Sequence, residues 1–262
     1  MVFVPDAAYM GWTMHGIRQT GLVAAALALG SIAALGTAAA GGRSPTVVEL
    51  FTSQGCSSCP PADRYLGKLA QRDDIIALSF HVDYWDYIGW KDTFALPQAT
   101  ARQRQHGRFL NARYVYTPEM IIDGIVDVVG SQSDEVEKTI AAARLATQNS
   151  LSVGLVASGQ DHATIKIDGR SGMPAADVWL IEFDAKHTVD VRRGENSGQR
   201  LTYHNVVRTI RKVGHWRGVA TEIPVDLTPM RETGRDGCVV IVQKEHGGPV
   251  FGAARLQFAS PN

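Results

Sequence analysis

Two cysteines three positions apart, in the run Cys56-Ser57-Ser58-Cys59, are the residues best placed to do chemistry. Two intervening residues let a pair of sulfurs meet across one turn, so a disulfide can close and open there. The pair follows a β-branched, apolar run, Thr46-Val47-Val48-Glu49-Leu50-Phe51, and a turn, Thr52-Ser53-Gln54-Gly55. It opens a helical stripe of Ala62, Leu66, Leu69 and Ala70. Pro60 and Pro61 fall in the first turn, where missing amide donors cost little. Unpaired N–H groups and the helix dipole stabilise a thiolate at such a start, and the thiolate is the attacking species. Cys59 lies three positions before Ala62 and is expected to face inward. Cys56, at the tip, is expected to be exposed, which would give one attacking and one resolving sulfur.

Other residues are candidates by their neighbourhood. Glu49, seven positions before Cys56, reads either as a water-facing edge carboxylate or as a partly buried acid that shuttles the proton of Cys59. The run His81-Val82-Asp83-Tyr84-Trp85-Asp86 follows the C-terminal end of a second strand, the edge where ligand sites of α/β sheets gather. His81, Asp83, Tyr84, Trp85 and Asp86 are therefore candidates for a substrate lip, the alternative being packing and capping of a long loop. A lone strand histidine is more often structural than a third metal ligand. Cys238, inside Cys238-Val239-Val240-Ile241-Val242, reads as a buried small hydrophobe, with pairing to another chain as the alternative. Arg192, Arg193, Arg200, Arg208, Arg211, Lys212 and Arg217 are opposed only by Glu195. They read as a solvated basic face or as a surface for an anionic partner. No nucleophile elbow, His-Glu-x-x-His run or second zinc-ligand pair occurs. No metal is expected, and no cofactor beyond a redox-active Cys56–Cys59 disulfide.

The elements that must hold these residues follow from periodicity. Ile75 to Val82 is a second buried strand, and Leu96 to Leu110 an Arg/Gln-rich helix expected to be exposed. Glu119-Met120-Ile121-Ile122 and Ile125 to Val129 flank Asp123-Gly124, a strong hairpin signal. Ser133 caps a last helix with Asp134, Glu135 and Glu137 near its positive end. The order β-α-β-α-β-β-α predicts a mixed sheet flanked by helices over residues 43–149. From Leu151 the runs Leu151–Ala157, Ala163–Ile167, Val178–Phe183, Thr221–Leu227, Cys238–Gln243 and Gly252–Phe258 are short and strand-like. They predict a separate β-rich, sandwich-like domain over residues 150–262.

The 262 residues are 45% apolar and 20% charged, which excludes a disordered, collagen-like or multi-span membrane protein. Lys plus Arg equals Asp plus Glu, 26 of each, so no global footprint for nucleic acid exists. Between Gly21 and Gly42 no residue is charged; Arg18 precedes this stretch and Thr37-Ala38-Ala39-Ala40 ends it. That pattern predicts a signal peptide within residues 1–42, with Met14 as an alternative start because Pro5 and Asp6 do not suit a lead segment. The alternative is an uncleaved membrane anchor. Export, to the periplasm or the medium, places the cysteines in an oxidising compartment.

The strand, the CxxC at a helix start and the later Thr117-Pro118 before a hairpin together resemble the thioredoxin fold. The resemblance implies an α/β thioredoxin-like domain in which a cis-proline at Pro118 faces the dithiol. It also implies that Thr117 offers its backbone to an extended substrate. Trp-Cys-Gly-Pro-Cys is absent, and an insertion, Asp83 to Gly107, separates Cys56 from Pro118. More narrowly, four segments resemble the exported bacterial proteins known as domain of unknown function 1223. These are Glu49 to Asp63, Phe80 to Asp86, Tyr116 to Gly124 and Tyr203-His204-Asn205-Val206-Val207-Arg208. The expected function is thiol–disulfide exchange with a protein thiol or disulfide partner, catalysed through Cys56, Cys59, Pro118, Thr117 and Glu49. The alternative is a non-enzymatic binding module. There the CxxC is a structural disulfide or, reduced, holds a soft metal such as Cu(I), with Met120 as a thioether ligand.

Overall fold

The structure, a computed structural model, describes residues 44–146 and 151–258. The expected signal segment lies outside them. The chain forms β1 (Thr46–Thr52), α1 (Pro60–Leu69), β2 (Ile75–His81), α2 (Pro97–Phe109), β3 (Glu119–Ile122), β4 (Val126–Val129) and α3 (Ser133–Ala146). There follow β5 (Val153–Ser158), β6 (His162–Ile167), β7 (Ala176–Asp190), β8 (Arg200–Trp216), β9 (Thr221–Asp226), α4 (Thr228–Glu232), β10 (Gly237–Lys244) and β11 (Val250–Gln257).

Eight strands form one mixed sheet in the order β11-β10-β7-β8-β2-β1-β3-β4, and β5-β6-β9 form a second. β1 and β2 are parallel, in register from Thr46↔Ile75 to Thr52↔His81. β8 joins β2 in parallel at Ser79↔Val206. The expected separate sandwich after position 149 is thus not formed. Its longest strands continue the same sheet, because β8 supplies the edge that β2 would otherwise leave unpaired. The hairpin β3–β4 turns where expected, with Asp123 at φ 47° and Gly124 at φ 69°. Asp and Gly tolerate this left-handed pair, which matches the twist of the flanking strands.

Alternation along the strands assigns the two faces of the large sheet. Val47 and Phe51 of β1 pack with Leu78 and Phe80 of β2, Ile181 of β7, Ile241 of β10 and Ala99 of α2. Val48 and Leu50 pack with Ala62, Leu66 and Leu69 of α1 and Val136 and Ile140 of α3. On β7 and β10, Val178, Leu180, Val240 and Val242 meet the small sheet through Leu155, Ile165 and Val225. So α2 covers one face, and α1, α3 and the small sheet share the other. α2 is not simply exposed, as its polarity suggested; Ala99, Thr100, Arg102, Gln103 and His106 are buried against the sheet.

Candidate functional site

The CxxC turn leaves the C-terminal end of β1. Ser53 shapes it, its hydroxyl accepting from Gly55 N at 3.1 Å and its carbonyl from Cys56 N at 3.2 Å. Gly55 marks a close approach: a Cβ there would lie 3.2 Å from Ile88 Cδ1 and 3.3 Å from Trp85 Cβ, so these side chains would have to give way. Cys59 caps α1 by backbone alone, its carbonyl accepting from Ala62 N and Asp63 N, with Pro60 and Pro61 following. Cys56 and Cys59 are joined in a disulfide, with Cα atoms 5.4 Å apart.

Both sulfur residues are fully buried, and Cys56 at 0% exposure corrects the expectation of an exposed tip. A segment some 140 residues further on is bonded to the same turn. The segment joining β7 to β8, residues 191–199, lies against the CxxC turn. Its buried Asn196 donates from Nδ2 to the carbonyls of Gln54 and Cys56, both at 2.9 Å. Glu195 accepts from Ser57 N at 3.3 Å. On the other side Gln54 is held by Asp92, Thr93 and Trp90, the last donating from Nε1 at 2.8 Å.

Glu49 is buried, but not beside the dithiol. It shares the α2 face with Val47 and Phe51, whereas α1 packs on the opposite face. Arg102 of α2 grips both of its oxygens, one through Nη2 at 2.8 Å, and His106 Nε2 stands 3.3 Å away. Burial pushes this carboxyl up, but the charges of Arg102 and His106 prevail and hold it down at about 2. Its buried place in an ion pair argues against the role of proton shuttle for Cys59.

The residues that do share the face of α1 are Thr52 of β1, Asp63 of α1 and His81 of β2, with Tyr203 of β8 against them. His81 Nδ1 bonds Asp92 at 2.7 Å, and its ring stacks edge-on to Tyr203 at 4.6 Å. Asp63, 4% exposed, has no hydrogen-bond partner on either oxygen. His81 Nε2, Thr52 Oγ1 and the Tyr203 hydroxyl are likewise buried and unpartnered. Burial raises the Asp63 carboxyl to about 7, only partly offset by the charge on His81 and the nearby Thr52 hydroxyl. The Asp92 carboxyl shifts down: burial opposes this, but His81 and the Gln54 and Phe94 amides outweigh it. Sequence reasoning missed Asp63, although its spacing of four from Cys59 was readable.

The expected lip divides. His81 is fully buried beneath the sheet edge and lines no surface. Asp83, Tyr84, Trp85 and Asp86 are half-buried and mostly tie the inserted loop together. Asp83 accepts from Thr100 Oγ1 at 2.6 Å, Tyr84 donates to Gln103 at 3.1 Å, and Asp86 accepts from Asp92 N at 3.0 Å. Trp85 connects the proline loop to the CxxC turn. Its Nε1 donates to Thr117 Oγ1 at 2.8 Å while its Cβ packs on Gly55. The Thr117–Pro118 bond is cis. Pro118 precedes Glu119, which pairs with Phe51, so the proline loop and the CxxC turn share one sheet edge.

The remaining candidates have ordinary surroundings. Met120 is buried in the core with Leu50 and Ala62. Cys238 is a buried free thiol, pushed up to about 12 by burial. The basic run is largely β8, where Arg208, Arg211 and Lys212 pair with Asp184, Glu182 and Asp177.

Fold and site together define a mixed α/β protein with a buried CxxC disulfide at the start of a helix. The family model described as a protein of unknown function, DUF1223, matches residues 47–243, and the chain belongs to that family. It is also similar to the crystal structure of protein AGR_C_4864 from Agrobacterium tumefaciens. The identity is 33% and the TM-score 0.73, over 84% of this chain and 98% of that one. A comparison with curated proteins found no match.

Proposed function

We propose that this protein is an exported, thioredoxin-like thiol–disulfide oxidoreductase working on a protein thiol or disulfide partner in the periplasm or medium. The observation that carries the reading is the Cys56–Cys59 disulfide at the start of α1, on the same edge as Thr117-Pro118. A partner thiolate attacks Cys56 Sγ, the Cys56–Cys59 bond breaks, and Cys59 leaves with the bonding pair. The partner's second thiolate then attacks the mixed disulfide. The partner leaves oxidised and both cysteines end reduced; the reverse sequence reduces a partner disulfide. Thr117 and Pro118 pair with the extended partner chain, as in proteins that add a strand at a sheet edge.

Because Cys56 is sealed, exchange requires its surroundings to open, and residues 191–199, which bond the turn, are the segment proposed to lift. The bonds to be broken are those of Asn196 to the Gln54 and Cys56 carbonyls and of Ser57 N to Glu195. The same burial favours a second reading, in which the disulfide is a permanent staple of a binding module. Incubating the native protein with dithiothreitol and tagging freed thiols by mass distinguishes them. Complete, reversible reduction without loss of tertiary structure supports exchange. A bond that yields only on unfolding supports the staple.

A further inference from the structure

We propose that Asp63, rather than Glu49, is the residue that gives a proton to Cys59 and takes it back during exchange; this deepens the oxidoreductase reading and rests on it. Two observations and one rule of helix geometry support it. Asp63 N donates to the Cys59 carbonyl at 3.1 Å, so the two residues are stacked one helical turn apart. Helical side chains lean toward the N-terminal turn, a rule that directs the Asp63 side chain toward Cys59. Both its oxygens are buried and unpartnered, an arrangement that costs stability and is kept where a buried group has work to do.

Asp63 also borders the protein surface. It lines a cleft of about 120 Å³ with Pro60, Arg64, Arg200, Leu201 and Thr202, which opens beside the residue following Cys59. The groups facing it are Thr52 from β1, His81 with Asp92 behind it, Tyr203 from β8 and Arg64 from its own helix. Burial holds the carboxyl in its neutral form up to about neutrality. When a thiolate attacks Cys56 Sγ and the disulfide opens, Cys59 departs as a thiolate. The neutral Asp63 carboxyl gives its proton to Cys59 Sγ and is left as a carboxylate, which is reprotonated through the cleft. In the reverse direction the carboxylate removes the Cys59 proton, and Cys59 then attacks the mixed disulfide. The electrons come from the partner dithiol in the first direction and pass to the partner disulfide in the second.

The test compares the wild type with Asp63→Asn, an uncharged side chain of the same shape that removes a buried acid without leaving a cavity. Stopped-flow reduction by dithiothreitol is followed from pH 5 to 9 and normalised to the thiolate concentration of the reductant. The wild-type rate should fall with an inflection near pH 7. Asp63→Asn should lose that inflection and run about 100-fold slower below it, while still reaching full reduction. Infrared spectra of the wild type should show a protonated carboxyl signal that changes on reduction and is absent from Asp63→Asn. An unchanged rate profile in Asp63→Asn, or no redox-linked carboxyl signal, overturns the assignment and leaves the oxidoreductase reading standing. A wild-type disulfide that cannot be reduced in the folded state overturns both.

Discussion

Replacing Glu49 by Gln separates a structural carboxylate from a catalytic one. In the folded protein this carboxyl is held down from 4.5 to about 2, burial opposing and the Arg102 and His106 charges prevailing. A drop of that size corresponds to about 3 kcal/mol of stability. Breaking a buried ion pair by removing one partner typically costs about 3–5 kcal/mol, so the two routes agree. The sign follows from the depressed value. The stabilisation is complete above pH 4.5 and is lost as pH falls toward 2. Urea unfolding of wild type and Glu49→Gln at pH 7, 5 and 3 should therefore show a gap of about 3 kcal/mol that narrows with acid. Thiol exchange should keep its pH profile. A variant as stable as wild type at pH 7, or one with a shifted exchange profile, would refute the assignment.

Other perturbations reach different parts of the site. Asn196→Ala, which frees the carbonyls of Gln54 and Cys56, should speed native reduction by dithiothreitol several-fold. Its stability cost should be about 1–3 kcal/mol by denaturant titration. Asp63 is raised from 3.8 to about 7 chiefly by burial, so its contribution to stability is full below pH 3.8 and is lost as pH rises through 7. Asp63→Asn should remove that decline, worth about 4 kcal/mol at most, in thermal melts between pH 4 and 8. Cys238, buried and pushed up to about 12, should resist iodoacetamide at pH 8 in the folded protein and react on unfolding.

The nearest-neighbour features of the site were legible in the sequence; its closure was not. Spacing placed Cys56 and Cys59 at a helix start, and Asp123-Gly124 marked the hairpin, because both signals act within a few residues. Glu49 was assigned to the dithiol by proximity along the chain, although strand parity sends it to the opposite face from Cys59. Thr52 and His81, of the other parity, are the residues that meet α1. β8 was hidden because Arg208, Arg211 and Lys212 make it read as a solvated basic face, and their partners Asp184, Glu182 and Asp177 lie elsewhere in the sequence. With β8 hidden, its pairing to β2 could not be foreseen, and the sheet was divided near Asn149. The clasp on the Cys56 turn was unreadable as well: Asn196, which bonds the Cys56 carbonyl, is 140 residues away.

The most direct test of the account is a redox equilibrium of the folded, full-length chain in thiol–disulfide buffers, with the Cys56–Cys59 state read by mass tagging. Exchange through Cys56 and Cys59 requires one reversible two-electron transition, reached from either side, with circular dichroism unchanged throughout. A pair that stays oxidised in every buffer until the fold is lost would contradict it.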